Sequence, residues 1–353
     1  MEIVYVHLGK SKFGYLNTAI QRSLSLYPKT KHTLIVDSLE SFSTPPLNVN
    51  LVQNDNQILD IEVTERNVDL EFRLGYWNLT LERIFAVLNY QIKNDIKQIL
   101  HVESDVILME SFPFQSLEKC NYAHWCEYGP EHDVASLFFV PDSKNATMLK
   151  KKMLSILSQN PNLTDMQLLY LTRNAGANVR LFPSFTTHRC LQDLGINQSY
   201  CRCFSPDSIF DGLTYGMYLS GQDPRNNYGR YSIGDNSPFE SGATFINPRQ
   251  YSWSLDVNGT PNSKCLYCGD EAKLQNLHVH SKNIELFSSN WKSALMKLVN
   301  IATKHERVDF FSFTAICEMI KNSFRSGSFH IFLWNSPPVA RAKRVILSLA
   351  KDV

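Results

Sequence analysis

The sequence predicts an α/β fold: a mixed, mainly parallel sheet flanked by helices, followed by a helical extension at the C-terminus. Three observations predict it. The chain opens as strand, helix, strand (residues 2–8, 15–27 and 32–36), the unit that forms a right-handed parallel pair. A helical pattern from about Leu79 to Ile96 feeds the apolar run Ile99 to Val102. A further apolar run, Ser136 to Val140, ends at Pro141.

Residues 2–8 are a short continuous apolar run, the pattern of a strand buried on both faces. Leu16, Ala19, Ile20 and Leu24 recur at helical spacing, and Pro28 closes that helix. The second strand ends at Asp37, and a weaker strand is expected at 48–52. Residues 145–159 read as a helix whose basic triplet, Lys150 to Lys152, suits a solvated face. Residues 165–174 read as another helix, capped by Thr164 or Asp165. Residues 175–264 are rich in Gly, Pro, Asn, Ser and aromatics. Such a stretch is too long for an idle loop and is expected to wrap a site. A strand at 274–279 ends in His-Val-His, and from Phe287 onward the pattern is helical, with an apolar stretch at 329–334.

Composition excludes some functions. The chain has 353 residues, 43% hydrophobic and 20% charged, with a net charge of +1. That is ordinary for a globular protein and gives no basic field for nucleic acid. No apolar run approaches the roughly 20 residues of a membrane-crossing helix. The opening MEIVYVHLGK reads as a strand and not as a signal or transit peptide. A cytoplasmic protein is therefore expected, and the sequons at Asn78, Asn145, Asn162, Asn197 and Asn258 read as coincidences of composition. Arg341, Lys343 and Arg344 beside the apolar 329–340 stretch allow a weak peripheral contact with a membrane surface. A helical cap over the sheet is the plainer reading.

Five of the eight cysteines fall between Cys190 and Cys268. Cys201-x-Cys203 and Cys265-x-x-Cys268 could build a tetrahedral zinc site. Only the second pair has the usual spacing, so free thiols are the plainer expectation.

The chemistry points to residues 101–109, HVESDVILM. Glu103 and Asp105 stand two residues apart at the end of an apolar strand. Strand alternation puts such residues on one side, and open α/β sheets bind ligands at strand C-termini. Both carboxylates could hold one divalent cation with positions left open for a phosphorylated substrate. The plainer alternative is an acidic turn capping a buried strand.

Four segments in order resemble the nucleotide-sugar-dependent glycosyltransferases of the GT-A (Rossmann-like) fold: residues 75–109, which carry Trp-x-x-Thr-x-x-Arg before the acid-x-acid strand; TDMQLLYL at 164–171; IFDGLTYGMYLSGQDPRN at 209–226 with GATFINP at 242–248; and LHVHSKN at 277–283. The resemblance spans residues 1–285 and is closest to a little-characterised bacterial and viral branch. It implies a catalytic region with a donor half (1–112) and an acceptor half (113–285), then an extension (286–353).

The same resemblance implies Mn²⁺ or Mg²⁺ held by Glu103, Asp105 and His280 against the diphosphate of a nucleotide sugar, with a UDP-sugar favoured. Glu103 stands where the common motif has Asp, and its longer side chain can reach either the ribose or the metal. His278 shares a strand face with His280, so the choice between them rests on position alone. A hexose would pass to a glycan, lipid-linked or protein acceptor. His7, Asp37, Arg83 and Glu103 would contact the donor, and Asp165 and Asp211 would be catalytic, Asp165 as general base or merely a helix cap. Asp211 and Asp223 could bind sugar hydroxyls while Tyr215, Tyr218 or Trp253 stack on a ring, or all could serve turns and packing. Two rivals stand beside this: a non-catalytic carbohydrate-binding protein on a transferase fold, and a sugar nucleotidyltransferase. The latter usually has a Gly-rich basic loop after its first strand, which residues 7–14 match poorly. No G-x-x-x-x-G-K-[ST] loop occurs.

Overall fold

The computed structural model describes residues 1–9, 14–39, 48–54, 75–185, 203–223, 234, 236–255, 260–282, 284–287 and 329–331. Its centre is a seven-stranded sheet. In chain order the strands are β1 (Glu2–His7), β2 (Lys31–Val36), β3 (Asn50–Gln53), β4 (Ile99–Val102), β6 (Ala123–Gly129), β7 (His132–Val140) and β8 (Val179–Phe182). They lie in the order β3-β2-β1-β4-β7-β6-β8. All neighbours are parallel except β7, which runs against both β4 and β6. The fold is thus a mixed, mainly parallel α/β sheet.

Alternation along β1 divides the core. Val4 and Val6 face one layer and Ile3 and Tyr5 the other. The first layer is covered by α2 (Tyr76–Lys93), α4 (Ser143–Gln159) and α5 (Asp165–Asn174). In α2, Leu81, Ile84, Phe85 and Leu88 are buried at helical spacing. Asp142 caps α4, and Thr164 with Gln167 forms a capping box on α5. The second layer is covered by α1 (Gly14–Leu26) and α3 (Phe114–Glu118).

A smaller region stands beside β4. Strand β5 (Val106–Leu108) pairs antiparallel with β13 (Asn276–His278). A second sheet, in the order β14-β10-β11-β12-β9, joins β9 (Ser208–Ile209), β10 (Tyr251–Leu255), β11 (Pro261–Cys265), β12 (Glu271–Leu274) and β14 (Phe329–Ile331). Helices α6 (Thr214–Ser220) and α7 (Ser237–Glu240) complete it.

Several expectations shift. The feeding helix begins and ends three residues earlier than the pattern suggested, and its N-cap is Gly75. The expected 274–279 strand breaks at Gln275 into β12 and β13, which join different sheets. Residues 329–331 pair with β10 as a strand instead of continuing a helix. The other residues of the expected extension after Phe287, including Arg341, Lys343 and Arg344, lie outside the described residues.

Gly216 sets how closely α6 lies on β13. A Cβ at that position would sit 1.5 Å from the carbonyl oxygen of His278. Gly216→Ala therefore has to push the helix off the strand, an overpacking cost of about 1–3 kcal/mol. The expected result is a melting temperature several degrees lower; an unchanged one would contradict this packing.

Candidate active site

The acidic pair arises from a turn. Strand β4 ends at Val102, and the chain reverses through Glu103-Ser104-Asp105 into β5. The N–H of Val106 donates to Glu103 O at 3.0 Å, and that of Glu103 to Ser136 O at 3.1 Å. The two side chains are therefore gathered by turn geometry, and not by the strand alternation that first suggested their pairing.

Pairing of β13 with β5 sets His278 opposite Val106, next to Asp105. The N–H of Val279 donates to Asp105 O at 2.8 Å and pins the strand end to the turn. His278 Nε2 lies 3.1 Å from Asp105 Oδ2 and 3.4 Å from Glu103 Oε2. All three residues are buried, and their ligand atoms lie within 4.8 Å of one another. Among the described residues no other such group of three His, Cys, Asp or Glu is found. Cys265 ends β11 and is buried, while Cys268 lies in the turn that follows and is exposed like Cys203. Cys190 and Cys201 lie outside the described residues.

The sequence expectation named His280. Its Nδ1 accepts the N–H of Asp223 at 2.9 Å, and its ring centroid stands 6.1 Å from that of His278. Burial, with help from the charges of Lys282 and His278, lowers its pKa to about 3. The residue beside the carboxylates is His278. Its Nδ1 donates to Gly212 O at 2.7 Å, which leaves Nε2 to face the acids. A ring fixed through a carbonyl in this way is the usual arrangement of a metal-binding histidine.

Cations surround the pair. Arg83, from α2, forms an ion pair with Glu103 and lies 3.7 Å from Asp165 Oδ2. Lys282 Nζ donates to Asp105 Oδ2. Burial would raise the Asp105 pKa, but Lys282 and His278 outweigh it and hold the carboxyl well below its usual range. Burial would lower that of His278, but Asp105 outweighs it and raises the ring to about 9. The Asp165 carboxyl is raised by burial against the opposing pull of Arg83. Its Oδ1 is buried with no hydrogen-bond partner among the described residues.

His7 ends β1, Asp37 follows β2, and Asp37 accepts the N–H of Gly9. These groups and the acidic turn share the C-terminal edge of parallel strands. Asp211 is placed differently. It is fully buried, and its carboxylate accepts main-chain N–H groups of Tyr215 (2.9 Å), Gly216 (2.8 Å) and His278 (2.8 Å). Burial raises its pKa to about 6 in spite of the His278 charge. It ties the start of α6 to the histidine strand. Tyr215, Tyr218 and Trp253 are core residues. The hydroxyl of Tyr215 donates to Ser184 O and the indole of Trp253 to Pro248 O, so their faces pack inward. Lys282 lies in the 277–283 segment but has no spacing signal of its own; the fold brings it to Asp105.

No family model matches the sequence, and no curated protein sequence matches it. The fold is similar to several solved structures. One is the galactosyltransferase LgtC in complex with donor and acceptor sugar analogues, at 13% identity and a TM-score of 0.38, over 57% of this chain and 80% of that one. Another is the glycosyltransferase GlyE of Streptococcus pneumoniae TIGR4, at 13% identity and 0.34, over 51% and 44%. A third is a glycosyltransferase involved in glycosylation of the major capsid of PBCV-1, at 14% and 0.32, over 53% and 84%. Likeness at this level says nothing about which residues act.

Asp211→Ala leaves three buried N–H groups without an acceptor. At about 1–3 kcal/mol for a buried unsatisfied group, it should lose at least about 2 kcal/mol in denaturant unfolding. A variant as stable as the parent would contradict the structural task given to Asp211.

Proposed function

We infer that the protein is a metal-dependent glycosyltransferase that moves a sugar from a nucleotide-diphosphate sugar, a UDP-sugar above others, to a glycan or glycoconjugate acceptor. The observation that carries this reading is the buried Glu103, Asp105 and His278 set at the C-terminal edge of a mainly parallel sheet, where α/β folds bind ligands. The donor chemistry fits a hard divalent cation such as Mn²⁺ or Mg²⁺: two carboxylates and one imidazole nitrogen, with Lys282 already standing as a cation against Asp105. A cation bound there would act as a Lewis acid on the diphosphate leaving group.

The chain's own residues supply the rest. Arg83 keeps Glu103 oriented from α2 and places positive charge beside the acids. Asp211 and Gly212 fix the main chain and ring of His278. Asp165 is the carboxylate of the cluster outside the set of three. It is the group available to take a proton or a sugar hydroxyl, and its Oδ1, buried without a hydrogen-bond partner among the described residues, supports that role. His7 and Asp37 would line the nucleotide side of the same edge. Burial of the cluster strengthens each of these interactions relative to water. A membrane-bound acceptor is not required by this reading, and no described helix is long and apolar enough to cross a membrane.

Calorimetry with UDP should show binding with Mn²⁺ and none in EDTA. Asp105→Asn should remain folded and lose at least about a hundredfold in sugar transfer, the scale of a few kcal/mol of lost Lewis-acid stabilisation. Equal UDP affinity with and without metal would remove the metal bridge, and undiminished turnover would remove Asp105 from the reaction.

A further inference from the structure

We propose that Lys282 is a built-in competitor for the divalent cation: its ammonium holds Asp105 in the metal-free protein and weakens the site for metal alone. The proposal rests on Glu103, Asp105 and His278 being the metal ligands.

The geometry is specific. Lys282 Nζ bonds Asp105 Oδ2, the same oxygen that faces His278 Nε2 at 3.1 Å. A cation shared by Asp105 and His278 needs that position. An ammonium and a dication cannot both sit within a few ångströms of it without strong repulsion.

Placement of the lysine is built into the backbone. After β13 the chain turns back on itself. The N–H of His280 donates to His278 O at 2.7 Å, and that of Lys282 to Val279 O at 2.8 Å. Lys282 itself has φ 66°, in the left-handed region that residues with a side chain enter at a cost. Its side chain is 22% exposed, so it is not a freely waving surface lysine.

The basic side chains set against Glu103, Asp105 and Asp165 differ in placement: Arg83 lies on Glu103 and Asp165, and Lys282 on Asp105. Arg83 is committed to Glu103 and Asp165 from a helix. Lys282 reaches in on a flexible stem and is the cation that can leave. A metal entering between Asp105 and His278 has to displace this ammonium from Asp105 Oδ2.

The test is Mn²⁺ binding to metal-stripped full-length protein without nucleotide, read from the electron paramagnetic resonance signal of free Mn²⁺. Lys282→Met, and Lys282→Gln as a second neutral variant, should bind Mn²⁺ at least about tenfold more tightly, the scale of one removed charge repulsion. Lys282→Arg should stay near the parent. Misfolding can only lower affinity, so a gain cannot come from damage; thermal unfolding in EDTA checks the fold independently. Parent binding with equal or weaker affinity in both neutral variants overturns the proposal and leaves the metal site standing. No Mn²⁺ binding by the parent or either neutral variant overturns both.

Discussion

A short antiparallel pairing decides the chemistry of this molecule. Three residues of β13 lie against three of β5, and that contact carries His278 to Asp105. Without it the acidic turn after β4 would be two carboxylates and an arginine. The pairing is held from behind. Asp211 binds the His278 N–H with one oxygen that also takes Gly216 N–H. Asn276 Nδ2 donates to Asp211 O, and Asn276 Oδ1 accepts the Asp211 N–H. Gly216 lets α6 come close enough for this to happen. The site is thus assembled by main-chain geometry more than by side-chain choice.

Electrostatics sets the second constraint. Three carboxylates and three cationic groups are packed at the edge of an apolar core, where desolvation is expensive. Each acid lies close to a cation. Removing one member leaves an uncompensated buried charge, which costs more than the pair contributes.

Much of this was legible in the sequence, and the exceptions have physical reasons. Continuous apolar runs gave β1, β2 and β4, because strands buried on both faces need no polar alternation. Helical spacing gave α1, α2, α4 and α5. The hairpin of β6 and β7 was half visible, because Ala123 to Gly129 mixes polar and apolar residues. Its Trp125 indole donates to buried Asp133, which Arg173 also binds, so the polar residues there face inward partners. Glu103 and Asp105 were found on an argument about strands, although a turn unites them. The choice between His278 and His280 could not be read locally: residues two apart are equivalent by period, and what separates them is the Gly212 carbonyl 66 positions away in sequence. Tyr215, Tyr218 and Trp253 look like a sugar platform by composition. In the fold they belong to the core that also holds Leu277 of β13.

The most direct test is anomalous diffraction from a crystal soaked with Mn²⁺ and UDP. The account predicts one strong peak at the C-terminal edge of the main sheet, bonded to Asp105, Glu103 and Nε2 of His278, with Lys282 swung away. Absence of a peak there, or a metal held by His280 with His278 still hydrogen-bonded to Asp105, would contradict it.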